Sequence, residues 1–355
     1  GIESDEVDAL FFGNVLGGAI ENATHLAPKV AGHLGLPPGA KVQRYEDACA
    51  TASLALERAV TAVEAGEHDV ALAGGVERCT PQATGTETSE MTRIFGSGAH
   101  KQYEQAPGMT TASVFALHTQ RHMHEYGTTE RQLAEVAVKN HAHGSMNDRA
   151  QFDETKTVDE VLESPVIASP FRLLDCCPFS DGASAVVVVS QDAADSYSAR
   201  PVDIAGISHA SNPMPVADQP NPPSTEMVRR ATRETYDQAG FGADEVDVAE
   251  VHDCFTGAEI LALEATGLFE DGEAGPATEA GRTRLGGEVP VNPSGGLKSK
   301  GHPIGATGTA QVVELTEQLR GASGDRQVAG AEKALAHNVG GMTATAVITA
   351  MEART

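Results

Sequence analysis

The stretch ATASLALERAVTAVEAGEHDVALAGGVE, Ala50 to Glu77, decides the architecture. Ala50 to Gly66 carries apolar residues at helical spacing and ends on a glycine suited to the left-handed cap of a helix. After a short polar turn, Asp69 to Glu77 is an apolar run closing on glycines, the pattern of a buried strand. Helix, turn and strand in that order predict an α/β fold with a layered parallel or mixed sheet.

Upstream, Asp8 to Val15 (DALFFGNV) is a second buried-strand candidate. Downstream, residues 79–178 are more polar, with few strand-like runs and with helices such as Thr129 to Gly144, and they read as an inserted helical excursion. Strand character resumes at Ser180 to Ser190 (SDGASAVVVVS), whose consecutive valines fit a strand buried on both faces. Ala199 to Ser211 is a further strand, opening a second half. A proline-rich loop (Asn212 to Pro223) leads to a helix through Gln238, then to DEVDVAEVHDCF, a strand running into a turn. A small-residue helix (Gly305 to Arg320) and LAHNVGGMTATAVITAM, a glycine turn with a terminal strand, repeat the earlier order. The chain therefore reads as two similar halves.

With 355 residues the chain is long enough for two or three units at roughly 150 residues each. No apolar run approaches the roughly 20 residues of a membrane helix, and no leader pattern argues for export. Five cysteines without regular spacing, two of them adjacent at Cys176 and Cys177, suit reduced thiols and a cytoplasmic setting. The formal net charge of −25, from 50 acidic against 25 basic residues, opposes nucleic acid and anionic lipid. Only 8 of those bases are lysine against 17 arginines. At about 1 M salt the screening length falls to about 3 Å, so such a surface suits a salty cytoplasm and predicts lower stability in low salt.

Three segments carry chemistry: Cys49 ahead of the Ala50 helix, VHDCF (Val251 to Phe255), and NPSGGLKSKGHPIGATG with His302. A helix start lowers a thiol pKa, so Cys49 is expected to be an activated nucleophile. The alternative is a small apolar filler. His302, its direction fixed by Pro303, suits the removal of a thiol proton. Paired glycines at 295 and 296 let backbone approach a ligand, and Lys298 and Lys300 in so acidic a chain point to anion binding. VHDCF places His252 and Cys254 at a strand end, where α/β folds collect their sites. No CxxC or HxxxH spacing adds ligands there, and His118, His122 and His124 lack a further donor, so no metal is expected.

Cys49 in DACATAS, HDCF, NPSGGLKSKGHPIGATG and PFRLLDCCPFSDGASAVVV together resemble thiolases, in particular archaeal acetoacetyl-CoA thiolases and the sterol-carrier-protein type. The likeness runs over essentially the whole chain, and HDCF with GHPIGATG is highly specific. It implies a five-layer αβαβα fold of two pseudo-equivalent halves. The N-terminal half would be residues 1–79 and 179–198, the inserted helical loop domain 80–178, and the C-terminal half 199–355. It also implies a strand and a helix ahead of the counterpart of Ile2. Relatives often have Cys-Ala-Ser-Gly where this chain has CATAS.

By that resemblance Cys49 takes the acyl group and His302 activates it. His252 stands where other thiolases hold a catalytic water with asparagine. Asn338 replaces the usual second thiol, whose acid/base work passes to Cys254. The N–H groups of Cys49 and Gly340 would form the oxyanion hole, and Ser294, Lys298 and Lys300 would bind coenzyme A. The implied reaction is condensation of two acetyl-CoA to acetoacetyl-CoA and its reverse, with no permanently bound cofactor. Expected associations are a homodimer or larger, a small OB-fold zinc-ribbon protein and hydroxymethylglutaryl-CoA synthase, a setting in the mevalonate pathway. Competing readings are a degradative 3-ketoacyl-CoA thiolase, a thiolase-like aldolase and a non-catalytic acyl-CoA-binding subunit.

Overall fold

A computed structural model of the chain describes residues 2–194, 196–197, 200–219 and 225–354. The expected strand start at Ala199 and the end of the proline-rich loop at 220–223 lie outside the described residues. The first half runs through β1 (Ala9–Gly13), α1 (Leu26–Leu34), β2 (Lys41–Tyr45), α2 (Thr51–Glu64) and β3 (Val70–Glu77). An excursion follows with α3 (Thr111–Tyr126), α4 (Glu130–Gly144) and the short strands β4 (Val166–Ala168) and β5 (Phe171–Arg172), before the chain returns as β6 (Gly182–Val189). The second half contains β7 (Val202–Ser211), α5 (Glu226–Ala239), β8 (Val248–Val251), α6 (Thr256–Ala265), α7 (Thr307–Leu319), β9 (Lys333–Gly340) and β10 (Thr345–Ala353).

The first sheet has the order β2-β1-β3-β6 and the second β7-β10-β9-β8. β1 pairs parallel with β3, which pairs antiparallel with β6; β8, β9 and β10 repeat those directions. The strands β1-β3-β6 and β8-β9-β10 therefore share one topology, with β2 and β7 added at opposite edges of it. β1 shows why its sequence is apolar at every position. Ala9 and Phe11 join the cluster of α2 and α7, whereas Leu10 and Phe12 pack on Ala27 and Ala31 of α1. A strand covered on both faces needs no polar alternation.

α2 and α7 form the middle layer, where Leu56, Ala59, Val312 and Leu315 share one core with residues of both sheets. Small residues permit this closeness: a Cβ on Gly75 would lie 1.8 Å from the Gly305 carbonyl oxygen. α1 covers the outside of the first sheet, and α5 packs Met227, Val228 and Ala231 with Ile348 and Ala350 of the second. Helices, sheet, helices, sheet, helices give the five layers of the expected αβαβα fold.

The valine run of β6 is corrected. β6 is an edge strand among the described residues, and its burial alternates, with Val187 44% exposed. Its counterpart β10 is flanked on both sides by β7 and β9.

The excursion packs on the second half. α3 and α4 begin with reciprocal caps, Thr110 with Ser113 and Thr129 with Gln132, which satisfy otherwise unpaired N–H groups. Phe171 of β5 stacks on Phe255 at 5.2 Å and Phe115 of α3 meets it tilted at the same distance, so the excursion roofs the HDCF segment. Among the described residues no helix is long and apolar enough to cross a membrane.

Candidate active site

Cys49 occupies a tight turn between β2 and α2. Ala48 takes φ +45°, an uncommon conformation for alanine, and the N–H groups of Ala50 and Thr51 donate to the carbonyls of Asp47 (3.0 Å) and Ala48 (3.2 Å). Strain of this kind clusters at functional positions.

His302 comes from the far half of the fold, in the loop before α7. Its Nε2 lies 3.1 Å from the Cys49 Sγ and its Nδ1 lies 2.7 Å from the Thr307 Oγ1. The Thr307 hydroxyl donates to the Pro303 carbonyl at 3.2 Å, so its oxygen is free to accept. The proton of the neutral ring therefore belongs on Nδ1, leaving a bare Nε2 lone pair against the thiol. Burial, with the neighbouring His252 and Lys300 adding to it, holds the His302 pKa well below its usual 6.5, which keeps the ring neutral.

His252 follows β8, at the strand end anticipated from the sequence. Its Nδ1 is 2.8 Å from the Asn338 Oδ1. The Asn338 amide nitrogen donates to the Cys49 carbonyl (2.8 Å) and to the Ser53 Oγ (2.9 Å), which fixes the amide orientation. Oδ1 must then accept from His252 Nδ1–H, and His252 also presents a bare Nε2. Burial lowers the His252 pKa to about 4. The two imidazoles meet edge to face at 5.0 Å and 86°.

The expectation that a helix start activates Cys49 at rest is overturned. Burial pushes its thiol up to about 12, with Cys79 and Glu77 adding to the shift and the N–H groups of Gly341 and Cys49 opposing it. Desolvation of a charge exceeds the help of partial charges at a helix end. The resting sulfur is a thiol, and its proton has one well-placed acceptor, His302 Nε2. Cys254 is raised well above 9 by burial and by the proximity of Cys177 and Cys49. Cys177 donates its N–H to the Cys254 carbonyl at 2.9 Å, and the mutual electrostatic effect of its thiol with Cys49 and Cys254 makes it a neighbour of this centre that the sequence did not single out. Thr307 and Ser53 were missed because each acts through another side chain, His302 and Asn338 respectively.

Two family models match the chain: "Thiolase, N-terminal domain" over residues 1–192 and "Thiolase C-terminal domain-like" over residues 208–353. The chain belongs to the thiolase family. It is 42% identical to an acetyl-CoA acetyltransferase of Methanothermobacter thermautotrophicus over 98% of this chain and 89% of that one. The acetyl-CoA acetyltransferase of Methanocaldococcus jannaschii is 36% identical, covering 90% and 81%. Sterol carrier protein 2 of Gallus gallus is 36% identical over 86% of this chain and 57% of its own length. Among solved structures, the fold is shared with the Ltp2-ChsH2(DUF35) aldolase, with a TM-score of 0.82, 24% identity and coverage of 99% and 88%. It is shared too with human mitochondrial 3-ketoacyl-CoA thiolase in complex with CoA, at 0.74 and 16% identity, covering 100% and 88%.

In this thiolase the glycine-rich loop is braced from below. Asp253 accepts from the N–H groups of Leu297 (2.6 Å) and Lys298 (3.2 Å) and from Asn140 Nδ2 (2.7 Å). Gly296, at φ +59°, lies so close that a Cβ would sit 2.4 Å from the Asp253 carboxylate. The anion-binding expectation is corrected here for Ser294 and Lys298. Ser294 is wholly buried and bonds Glu250 through N–H (3.0 Å) and Oγ (2.8 Å). Lys298, buried, donates to the Cys176 carbonyl at 2.6 Å, and Lys300 Nζ lies 3.7 Å from Glu250. Ser294 and Lys298 hold the loop that carries His302, whereas the buried Lys300 Nζ has the Glu250 carboxylate nearby but makes no hydrogen bond among the described residues. Gly340 belongs to β9, and the backbone N–H that bears on the Cys49 sulfur is that of Gly341, one residue further on.

Proposed function

We propose that this thiolase is an acetyl-CoA C-acetyltransferase that condenses two acetyl-CoA into acetoacetyl-CoA and runs the reverse thiolysis through an acyl-Cys49 intermediate. The observation that carries it is the bare Nε2 of His302 at 3.1 Å from the Cys49 thiol, in a chain 42% identical to an archaeal acetyl-CoA acetyltransferase.

In the first half-reaction His302 Nε2 takes the Cys49 proton as sulfur attacks the thioester carbonyl carbon. Collapse of the tetrahedral adduct breaks the bond to the coenzyme A sulfur. Cys254, a neutral thiol at rest, gives its proton to the departing thiolate and becomes the base for the next step. A second acetyl-CoA then loses an α-proton to Cys254 while the His302 imidazolium donates to its thioester oxygen. The enolate carbon attacks the acyl-Cys49 carbonyl, and the Cys49 thiolate leaves and recovers the proton from His302. Cys49 recovers its own proton, Cys254 ends with the substrate α-proton in place of the one that left on coenzyme A, and the division into two steps lowers each barrier. The N–H groups of Cys49 and Gly341 would hold the oxyanion of the acyl-enzyme, a contribution of roughly 3 kcal/mol per donor.

Incubation with acetyl-CoA and intact mass spectrometry test the assignment. Cys49→Ala should lose the acetyl adduct and both directions of turnover, whereas Cys254→Ala should still form the adduct, more slowly because the departing thiolate must take its proton from solvent, and should lose condensation. Equal loss of adduct in both variants would overturn the division of labour.

A homodimer, a small OB-fold zinc-ribbon partner, hydroxymethylglutaryl-CoA synthase as consumer of acetoacetyl-CoA in the mevalonate pathway, and a salt-adapted cytoplasm complete the proposal. The partner reading is supported by the shared fold with an aldolase whose structure pairs Ltp2 with the DUF35 protein ChsH2, and the salt reading by the net charge of −25. Size-exclusion chromatography and pull-down in molar KCl test the associations.

A further inference from the structure

We propose that Cys49, His252 and His302 form a three-ligand site for a thiophilic divalent cation of the zinc class, whose binding blocks the nucleophile. The sulfur and one nitrogen of each ring all lie within 4.8 Å of one another, with Cys49 Sγ and His302 Nε2 already 3.1 Å apart. Zinc bonds of about 2.3 Å to sulfur and 2.0–2.1 Å to nitrogen place tetrahedral ligands about 3.4–3.6 Å from one another, so small side-chain rotations suffice.

Three features make this set a ligand set and not a mere cluster. Both rings are locked in the tautomer that turns a bare Nε2 inward, because Thr307 and Asn338 take the Nδ1 protons. Such outer partners are what orient histidine ligands in metal sites. The rings stand at 86°, so their lone pairs converge from different planes. Finally, the three donors are nitrogen and sulfur with no carboxylate, which favours zinc, cobalt or cadmium over magnesium or calcium. Sequence spacing could not show the set, since 203 and 50 residues separate its members.

Binding breaks the Cys49 S–H bond and forms a sulfur–metal bond; the proton passes to solvent and no oxidation state changes. The fourth position stays open to water or to an entering thiol. The geometry does not depend on the acyl-transfer reading.

The probe is Co²⁺ added to the full chain, read by equilibrium dialysis and absorption. The expected result is one ion per chain, a near-ultraviolet sulfur-to-cobalt band and the visible bands of a four-coordinate ion. Cys49→Ala should lose all three, as should wild-type protein alkylated at Cys49 with iodoacetamide, which needs no refolding of a variant. His252→Asn should bind at least about 10-fold more weakly, and Mg²⁺ should not compete. Zn²⁺ should stop acetyl-adduct formation, reversibly with a chelator. Retention of the sulfur band in Cys49→Ala, an octahedral spectrum, or unchanged affinity in His252→Asn would overturn the site. Cobalt binding by a chain with no acyl transfer would leave the site standing and remove the enzymatic reading alone.

Discussion

His252 and Cys49 are tied together through one amide: Asn338 accepts from the His252 Nδ1–H at 2.8 Å and donates to the Cys49 carbonyl at 2.8 Å. The nucleophile's turn and the second imidazole therefore move as one unit. Asn338→Ala removes both contacts and should reduce condensation by roughly 10- to 100-fold, the usual cost of losing an orienting partner. Asn338→Asp keeps an acceptor for His252 but loses both donors, and its negative charge should raise the His252 pKa. Rapid-quench acylation and the pH profile of condensation separate the two. Wild-type profiles in both variants would exclude this tie from the mechanism.

The free enzyme should react slowly with alkylating agents at neutral pH. Because burial pushes the Cys49 thiol to about 12, the thiolate fraction grows with pH across the whole accessible range. The alkylation rate, followed by mass spectrometry at residue 49, should climb through pH 10 without a plateau. A plateau below pH 8 would show a thiolate stabilised at rest, as the helix-start argument alone suggests.

What was legible in the sequence follows from what is local. The Ala50 helix, the strand at Val70 and the strand ending at His252 are each specified by periodicity within their own segment. The motifs around Cys49, Cys254 and His302 identify residue types that seldom serve any other purpose together. Burial was not legible. The valines of β6 do not reveal that their strand lies at an edge, and the sequence GLKSKGHP does not reveal that the Cys176 carbonyl already engages Lys298. Both depend on which elements lie adjacent in space. The same holds for the thiol pKa, which desolvation sets and composition does not.

Behind the loop, Lys139 donates to Glu259 at 2.6 Å and to the Val291 carbonyl at 3.1 Å, with neither side chain exposed. Glu259 in turn accepts from Asn140 and Asn292 at 2.8 Å each. Removing one member of a buried pair leaves an uncompensated charge and costs about 3–5 kcal/mol. Lys139→Met should therefore lower stability by that amount in denaturant titration, and Lys139→Met with Glu259→Gln should recover a large part of it. If the double variant is no more stable than the single, the carboxylate is not what Lys139 neutralises.

Acid should destabilise the fold earlier than carboxylate chemistry alone would predict. Burial lowers His118, His141 and His252 to about 4, and His143 and His337 to about 3. These rings stay neutral when folded but gain protons near pH 6.5 when unfolded, so the unfolded state binds more protons below that pH. Each contributes stability that is complete above about pH 6.5 and falls by up to about 1.4 kcal/mol per pH unit below it. Glu77 and Asp253, both raised to about 7 by burial, work in the opposite direction, gaining stability as pH falls from 7. The five histidines outnumber these two carboxyls, so the midpoint of denaturant unfolding should drop between pH 7.5 and 5.5 with net proton uptake. A flat or rising midpoint would mean that those rings are not desolvated.

Salt should act in the other direction. The arginine–carboxylate pairs described on the surface, such as Arg230–Glu234 at 2.9 Å, are exposed and contribute about 0–1 kcal/mol each. They cannot offset a net charge of −25, whose self-repulsion opposes the compact state at low ionic strength. Between 0.1 and 3 M KCl the screening length contracts from about 10 Å to below about 3 Å, so repulsion between separated carboxylates vanishes while buried pairs are unaffected. The melting temperature should rise by several degrees over that range, most steeply below about 1 M where the screening length is still changing. Sodium sulfate compared with KCl at equal ionic strength isolates the charge effect, since sulfate also strengthens apolar burial. A melting temperature indifferent to KCl would show that the acidic surface carries no energetic load, and the salt-adapted reading would fall with it.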